Sequence, residues 1–325
     1  MTATRTRAYC KGVLDAEDFP VADVSTFVGR PDTVVWIDLC GPSEGDLDAL
    51  AGELGLHDLA VEDALEPHQR PKLDHYASHL FLSCHAVALD REQARLDKVE
   101  IDAFVGDDWL ITVRKDEGWS LDPVIARWDR PADVAAHGVS FLLYGLLDVV
   151  VDGYFDVVET FDEYYDEVSE GIFADEPLAP SEQKDWFEMR RALVHFHRLV
   201  VPLREMVSGL MRREHSFVAD DLLPYYQDVY DHVLRVGESS ESLRDLVSSI
   251  VETNLSLRDY RQNLVMKKVT SWAAIIAVPT LVTGYYGMNV PYPGFARHWG
   301  VLVSTALMVL LSGGLYASFR RRDWL

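Results

Sequence analysis

The C-terminal end of the chain, from Val269 to Leu325, holds two long stretches without a charged side chain, and nothing else in the sequence constrains the fold so strongly. Val269 to Tyr286 reads VTSWAAIIAVPTLVTGYY, 18 residues, and Trp299 to Phe319 reads WGVLVSTALMVLLSGGLYASF, 21 residues. About 20 apolar residues match the hydrocarbon core of a bilayer, so both stretches read as transmembrane helices. A buried core helix is the plainer alternative for the first, which is near the lower length bound and contains Pro279. Two such stretches together, bracketed by Lys267-Lys268 and Arg320-Arg321-Arg322, favour the membrane.

Whole-chain averages conceal this division. Over 325 residues there are 53 Asp and Glu against 30 Lys and Arg, and the mean hydropathy is −0.03, which describes a soluble acidic protein. Residues 1–268 carry 52 acids and 26 bases, net −26, whereas residues 269–325 carry one acid, Asp323, and four bases, net +3. The positive flanks, with only Arg297 and His298 as basic residues in the intervening 287–298, place both ends of the hairpin in the cytoplasm by the positive-inside rule. So acidic a chain repels a phosphate backbone, which argues against nucleic-acid binding. An apolar share of 48% excludes a chain held open by its charge. Cys10, Cys40 and Cys84 form no C-x-x-C pair, so neither a disulfide framework nor a cysteine zinc site is expected, and a reducing compartment is. Met1 to Arg7 lead into mixed sequence without an apolar core, so no secretory signal is expected.

Residues 1–137 read as an α/β domain. The runs 33–39, 79–89, 98–105 and 109–114 are rich in β-branched and aromatic residues and read as strands. Ser43–Leu54, with Ser43 as N-cap, and His57–Leu65 read as helices. Helical periodicity then takes over, with long helices expected at 139–173, 181–214 and 222–286. The expected division is thus 1–137 α/β, 138–220 acidic helices, 221–268 stalk, 269–286 first span, 287–298 external loop, 299–319 second span and 320–325 basic tail. Along the stalk Val229, Val233, Val236, Ser240, Leu243, Val247, Ile250, Asn254, Leu257, Arg261 and Leu264 recur at heptad spacing. A core-facing stripe within one chain is the plainer account; the polar Ser240, Asn254 and Arg261 favour a wet axis between subunits.

In the first span Thr270, Ala273, Ala277, Thr280, Gly284 and Gly287 form a stripe of small or hydroxylated residues. Such a stripe serves either close helix packing or the wall of a pore built from several copies. The span ends in Tyr286-Gly287-Met288-Asn289, followed by Val290-Pro291-Tyr292-Pro293-Gly294. A Gly-Met-Asn closing the first of two C-terminal spans behind a long stalk resembles the CorA family of magnesium, and cobalt, transport proteins. Further matches are Val61-Glu62-Asp63 with His68-Gln69-Arg70-Pro71-Lys72, the stretch from Pro224 to His232, and the end Asp323-Trp324-Leu325.

The resemblance implies a funnel-shaped homopentamer of the inner (plasma) membrane: an α+β cytoplasmic domain, a long helical stalk, and two transmembrane helices of which the first lines the pore. It implies passive influx of Mg²⁺, and of Co²⁺ or Ni²⁺, driven by the membrane potential. Gly287, Met288 and Asn289 would form the selectivity filter, where a ring of Asn289 amides accepts hydrogen bonds from the waters of an ion that dehydrates reluctantly. Asn263, Met266 and Val269 fall where the family places its cytoplasmic constriction. Asp63 and Asp228, with Glu62 as a weaker companion, match positions at which the family binds regulatory Mg²⁺ between neighbouring subunits. Lys267, Lys268, Arg320, Arg321 and Arg322 would form a basic collar. Two departures stand out: Ala277 lies where a bulkier Met can narrow the neck, and the external loop contains no acid.

Between Glu159 and Glu176 there are eight carboxylates, Glu159, Asp162, Glu163, Asp166, Glu167, Glu170, Asp175 and Glu176, with no Lys or Arg. This is either a solvated helix face or a device that concentrates divalent cations. The chain lacks G-x-x-x-x-G-K-[ST], G-x-G-x-x-G and H-E-x-x-H, so no nucleotide or zincin chemistry is expected and the protein reads as no enzyme. Ser181-x-x-Lys184 reads as a helix N-cap. Alternatives are a zinc-moving relative of the same superfamily, or a non-conducting membrane-anchored metal sensor or scaffold. His195-x-His197 is a poor ligand pair, since residues two apart on a helix face different ways.

Overall fold

A computed structural model of the protein describes residues 3–67, 69–130, 135–172, 180–212 and 217–325. By compactness the chain forms two units, Met1–Ser248 and Ser249–Leu325. The first of these holds the sheet, α-helical residues 139–172 and 180–210, and the first part of the long helix that follows.

The first unit is built on seven strands: β1 (Ala3–Cys10), β2 (Val13–Glu17), β3 (Thr33–Cys40), β4 (Lys72–His75), β5 (Leu80–Asp90), β6 (Arg95–Val105) and β7 (Trp109–Arg114). Their order is β2-β1-β3-β7-β6-β5-β4. The β3–β7 pair is parallel and the other pairs are antiparallel. Parallel pairing requires a crossover, supplied here by everything between residues 40 and 109, and with both faces of the sheet covered β3 and β7 are buried along their whole length, Asp38, Thr112 and Arg114 included.

Two helices, α1 (Glu44–Leu54) and α2 (Asp58–Leu65), cover one face of the sheet. Leu47, Leu50, Ala60, Val61 and Ala64 bury against Val35, Ile37, Phe81, Phe104 and Ile111. Ser43 opens α1 as expected, its backbone N–H donating to Asp46 Oδ2 at 2.9 Å, and Gly55 closes it in the left-handed region at φ +69°. His57 sits one step outside α2 as its N-cap, Nδ1 accepting from the Leu59 N–H at 3.2 Å.

The opposite face carries α3 (Asp122–Trp128) and α4 (Val139–Ile172). Trp36 and Trp128 meet edge to face at 4.8 Å, and Tyr154 of α4 donates to the His85 carbonyl at 2.8 Å. Below this face Asp38, 0% exposed, is held by Arg114 Nη2 at 2.7 Å and the Thr112 hydroxyl at 2.8 Å. Burial lowers the affinity of the Arg114 guanidinium for its proton, but the Asp38 carboxylate more than restores it.

Long helices follow: α5 (Pro180–Leu210), α6 (Leu223–Tyr286) and α7 (His298–Arg321). Among the described residues α5 is helical from Pro180 on, so Ser181 lies within the helix rather than at its N-cap. The 64 residues of α6 span about 96 Å at 1.5 Å per residue. Pro279 does not interrupt α6, and the hydroxyls of Thr280 and Thr283 bond back to the carbonyls of Ile276 (3.1 Å) and Pro279 (2.9 Å). Arg320 and Arg321 belong to the last turn of α7, two residues beyond the expected span.

The heptad seam divides at Ile250. Val229, Val233, Val236, Ser240, Leu243, Val247 and Ile250 are all buried within the single chain, so this part is the core-facing stripe and not a wet inter-subunit axis. Ser240, the polar residue that suggested otherwise, is 0% exposed. Its hydroxyl donates to the Gly237 carbonyl at 2.8 Å, so His197 Nδ1, 2.9 Å away, must be the donor to it. That contact makes His197 a structural residue. Asn254, Leu257, Arg261 and Leu264 are half-buried.

Candidate functional site

The chain presents three groups of residues that bear on cation chemistry. The first lies where α6 ends. Gly287 closes the helix with its N–H on the Thr283 carbonyl at 2.8 Å, and a Cβ there would meet that same oxygen at 2.8 Å, so only glycine fits without a shift. Met288 and Asn289 follow, both exposed. From the loop, Tyr292 donates its hydroxyl to the Tyr286 carbonyl at 2.7 Å, and its ring sits edge-on to Tyr286 at 5.0 Å and to Phe295 at 5.3 Å. The Gly287–Asn289 turn is thereby tied at both ends, to α6 before it and to the aromatic loop after it.

The second group is the stripe on α6. Thr270, Ala273, Ala277, Thr280 and Gly284 are exposed along the membrane segment, and Asn263, Met266 and Val269 are exposed before it. The buried positions of this segment are Ser271 (0%) and Val282 (5%), with Ala274, Ile275 and Val278 half-buried. Packing inside the chain thus uses another face, and the small residues are left free. Ala273, Ile276, Ala277, Thr280, Leu281 and Gly284 line an open apolar groove of about 940 Å³. Lys267, Lys268, Arg320, Arg321 and Arg322 are exposed at the far end from the Gly287–Asn289 turn.

The third group lies in the first unit and divides in two. Asp148 on α4 and Asp228 and His232 on α6 bring one ligand atom each to within 4.8 Å of one another. His232 Nε2 lies 3.8 Å from Asp228 Oδ1, one helical turn away, and the ring is set edge-on to Phe155 at 5.4 Å. Asp148 is 3% exposed and pairs closely with Arg127, which also reaches Asp152 at 3.5 Å. Burial pushes the Asp148 carboxyl above its ordinary range, Arg127 opposes this, and Asp152 and Asp228 add to it. Two carboxylates and an imidazole suit a small divalent ion that keeps part of its water shell.

Asp63 is elsewhere, on α2, and does not join this cluster within one chain. Lys72 of β4 holds its carboxylate at 2.5 Å and also reaches Asp74 at 3.2 Å. Burial works against the Lys72 ammonium, but the hydrogen bonds to Asp63 and Asp74 outweigh it and raise its pKa. Glu62 is exposed.

Sequence reasoning overlooked Asp148 and His232. The first was visible as the single acid in the apolar run from Val139 to Val151; the second stands at i+4 from Asp228 on one helix. The acidic run of α4 behaves as a solvated face: Glu159, Asp162, Glu163, Asp166, Glu167 and Glu170 are exposed, while Val157, Val158, Phe161 and Tyr165 are buried. Arg91, from the β5–β6 turn, pairs with Glu163 at 3.4 Å and closely with Glu167. Asp175 and Glu176 lie outside the described residues.

Comparison with known proteins agrees with this geometry. The family described as "CorA-like Mg2+ transporter protein" matches residues 31–321. The cobalt/magnesium transport protein CorA of Thermotoga maritima is 30% identical over 314 residues, covering 95% of this chain and 89% of that protein. The putative metal ion transporter YfjQ of Bacillus subtilis is 29% identical over 299 residues, covering 91% and 92%. Among solved structures, the CorA magnesium transporter of Methanocaldococcus jannaschii superposes with a TM-score of 0.80 over 98% of each chain at 21% identity, a likeness of fold. With the match running from β3 through both membrane helices, the chain belongs to the CorA-like family of divalent cation transporters.

Proposed function

We propose that the protein is a homopentameric Mg²⁺ influx channel of the inner (plasma) membrane, with both termini in the cytoplasm. The observation that carries this reading is the stripe from Thr270 to Gly284, which is left exposed among the described residues and ends at Gly287-Met288-Asn289. Around an axis these residues give a narrow, neutral, weakly polar wall, and Asn289 gives a ring of amide oxygens facing the hydrated ion. Neutral acceptors bind the water shell without holding the ion so tightly that it cannot leave. The driving force is electrical: a divalent ion entering a negative interior gains about 4.6 kcal/mol per 100 mV, so no nucleotide is required. The same route would accept Co²⁺ and Ni²⁺, whose hydrated forms are similar. Met266 and Val269 would gate the cytoplasmic end by closing a hydrophobic constriction.

Regulation follows from the third group. Asp63 of one subunit would meet Asp228 of the next, where Asp148 and His232 already stand, and cytoplasmic Mg²⁺ held there would cancel repulsion across the interface and keep the pore closed. The Asp148, Asp228 and His232 triad supports this because its ligand atoms converge within 4.8 Å of one another.

Uptake of Mg²⁺, Co²⁺, Ni²⁺ and Zn²⁺ into proteoliposomes, with and without an imposed potential, tests the reading. Potential-dependent Mg²⁺ uptake blocked by hexammine cobalt is the expected result. A preference for Zn²⁺ would assign the protein to zinc transport, and the absence of any flux would make it a metal sensor or scaffold. The Tyr292 tie gives a second test. Tyr292→Phe keeps the ring contacts and removes one hydroxyl, costing the turn about 1 kcal/mol; initial Mg²⁺ uptake is expected to fall severalfold, with Tyr292→Leu falling further.

A further inference from the structure

We propose that Lys72 is a resident cation that competes with the divalent ion for Asp63, and so sets the cytoplasmic concentration at which the channel closes. This rests on the reading of Asp63 as half of the regulatory site. The two halves of that site differ. Asp228 has no Lys or Arg partner within 4.0 Å among the described residues, and its near neighbours are His232 and Asp148. Asp63 is already neutralised, with Lys72 Nζ 2.5 Å from Oδ2.

Three features make this lysine displaceable. Its side chain is 28% exposed and Asp63 is 29% exposed, so the pair is only partly desolvated. Its ammonium is a point charge on a flexible four-carbon stem, which gives up one acceptor for another at low cost. A second acceptor is at hand: Asp74 Oδ2 lies 3.2 Å from Nζ, two residues along β4 and therefore on the same side of the strand. Nζ itself lies over the Phe81 ring, 5.3 Å from its centroid, and is already within reach of both carboxylates, so a small shift of the head group toward Asp74 frees Asp63 without the strand moving. When hydrated Mg²⁺ reaches Asp63, Lys72 moves to Asp74; when the ion leaves, Lys72 returns and the carboxylate is never bare.

The test uses the full-length protein in detergent micelles, with protection from limited proteolysis followed as MgCl₂ is raised. Lys72→Met is expected to lower the midpoint about two- to fivefold, the range in which partly exposed ion pairs shift equilibria. Lys72→Arg keeps the charge but holds a carboxylate with a bidentate fork, and is expected to raise the midpoint. In an Asp63→Asn background neither change at position 72 should move it further. A lower midpoint for Lys72→Met with an unchanged one for Lys72→Arg would reduce the effect to a general field and overturn the displacement. An unshifted Lys72→Met beside a shifted Asp63→Asn overturns the role of the lysine alone. An unshifted Asp63→Asn removes the regulatory reading and the lysine's role with it. Should Lys72→Met fail to assemble, Lys72→Arg decides by itself, a midpoint that stays or falls counting against the proposal.

Discussion

Asn289→Ala abolishes Mg²⁺ uptake into proteoliposomes and leaves the size of the purified oligomer unchanged. The second half of this expectation comes from the protomer. Asn289 is exposed just after the end of α6, and the turn that carries it is held by the Gly287 N–H and the Tyr292 hydroxyl, not by the amide. Truncation therefore removes no contact that holds the chain in shape. The first half follows from the ion. Mg²⁺ keeps its waters, and those waters must find acceptors as they enter the pore. A hydrogen bond to a charged group contributes about 1.5–3 kcal/mol, so loss of a single amide acceptor corresponds to roughly a tenfold or greater effect, and a symmetric ring loses one from every subunit. Asn289→Asp separates acceptor from charge. It restores oxygens at the same place but adds a carboxylate per subunit, so binding is expected to tighten while flux falls below that of the unaltered protein. Undiminished uptake by Asn289→Ala would sink the filter assignment.

Much of this architecture is legible in the sequence, and the parts that are not have physical reasons. Long α4, α5 and α6 follow from periodicity sustained over many turns, and α6 begins beside Pro224 and ends at the Gly-Met-Asn turn. Strands β3, β5, β6 and β7 show as apolar runs because they lie in the interior of the sheet. By contrast β1, β2 and β4 leave little trace. The first carries Arg5 and Arg7, which look like solvent-facing polar residues but pair with Asp122, Asp129 and Glu17. The other two are edge strands of five and four residues, too short for alternation to register. The first part of the stalk differs from expectation for a related reason: a buried serine looks polar in sequence, and only the positions of Gly237 and His197 reveal that its hydroxyl is satisfied inside one chain. Asp63 and Asp228 stand out by likeness to a family, whereas Asp148 comes from packing, since nothing in a helix pattern says which lone acid will face a second helix.

The convergence of Asp148, Asp228 and His232 carries the other large expected effect. Asp228→Ala removes the more exposed of the cluster's two carboxylates and leaves Asp148 paired with Arg127, so the cluster keeps no carboxylate without a resident cation. The Mg²⁺ midpoint for protease protection should rise at least about tenfold, since a charge-assisted contact of 1.5–3 kcal/mol is lost at each site. Flux through the pore should persist at cytoplasmic Mg²⁺ concentrations that close the unaltered channel. His232 is expected to behave differently. Imidazole is a poor ligand for Mg²⁺ and a good one for Co²⁺ and Ni²⁺, so His232→Gln should leave the Mg²⁺ midpoint within about twofold and raise the Co²⁺ and Ni²⁺ midpoints severalfold. That contrast distinguishes a metal site from simple relief of charge. If Asp228→Ala merely reduced repulsion between subunits, protection would increase at low Mg²⁺ and His232 would matter equally for every ion. Unchanged Mg²⁺ protection in Asp228→Ala would remove this cluster from the gate and leave the regulatory ion to be sought at another subunit contact.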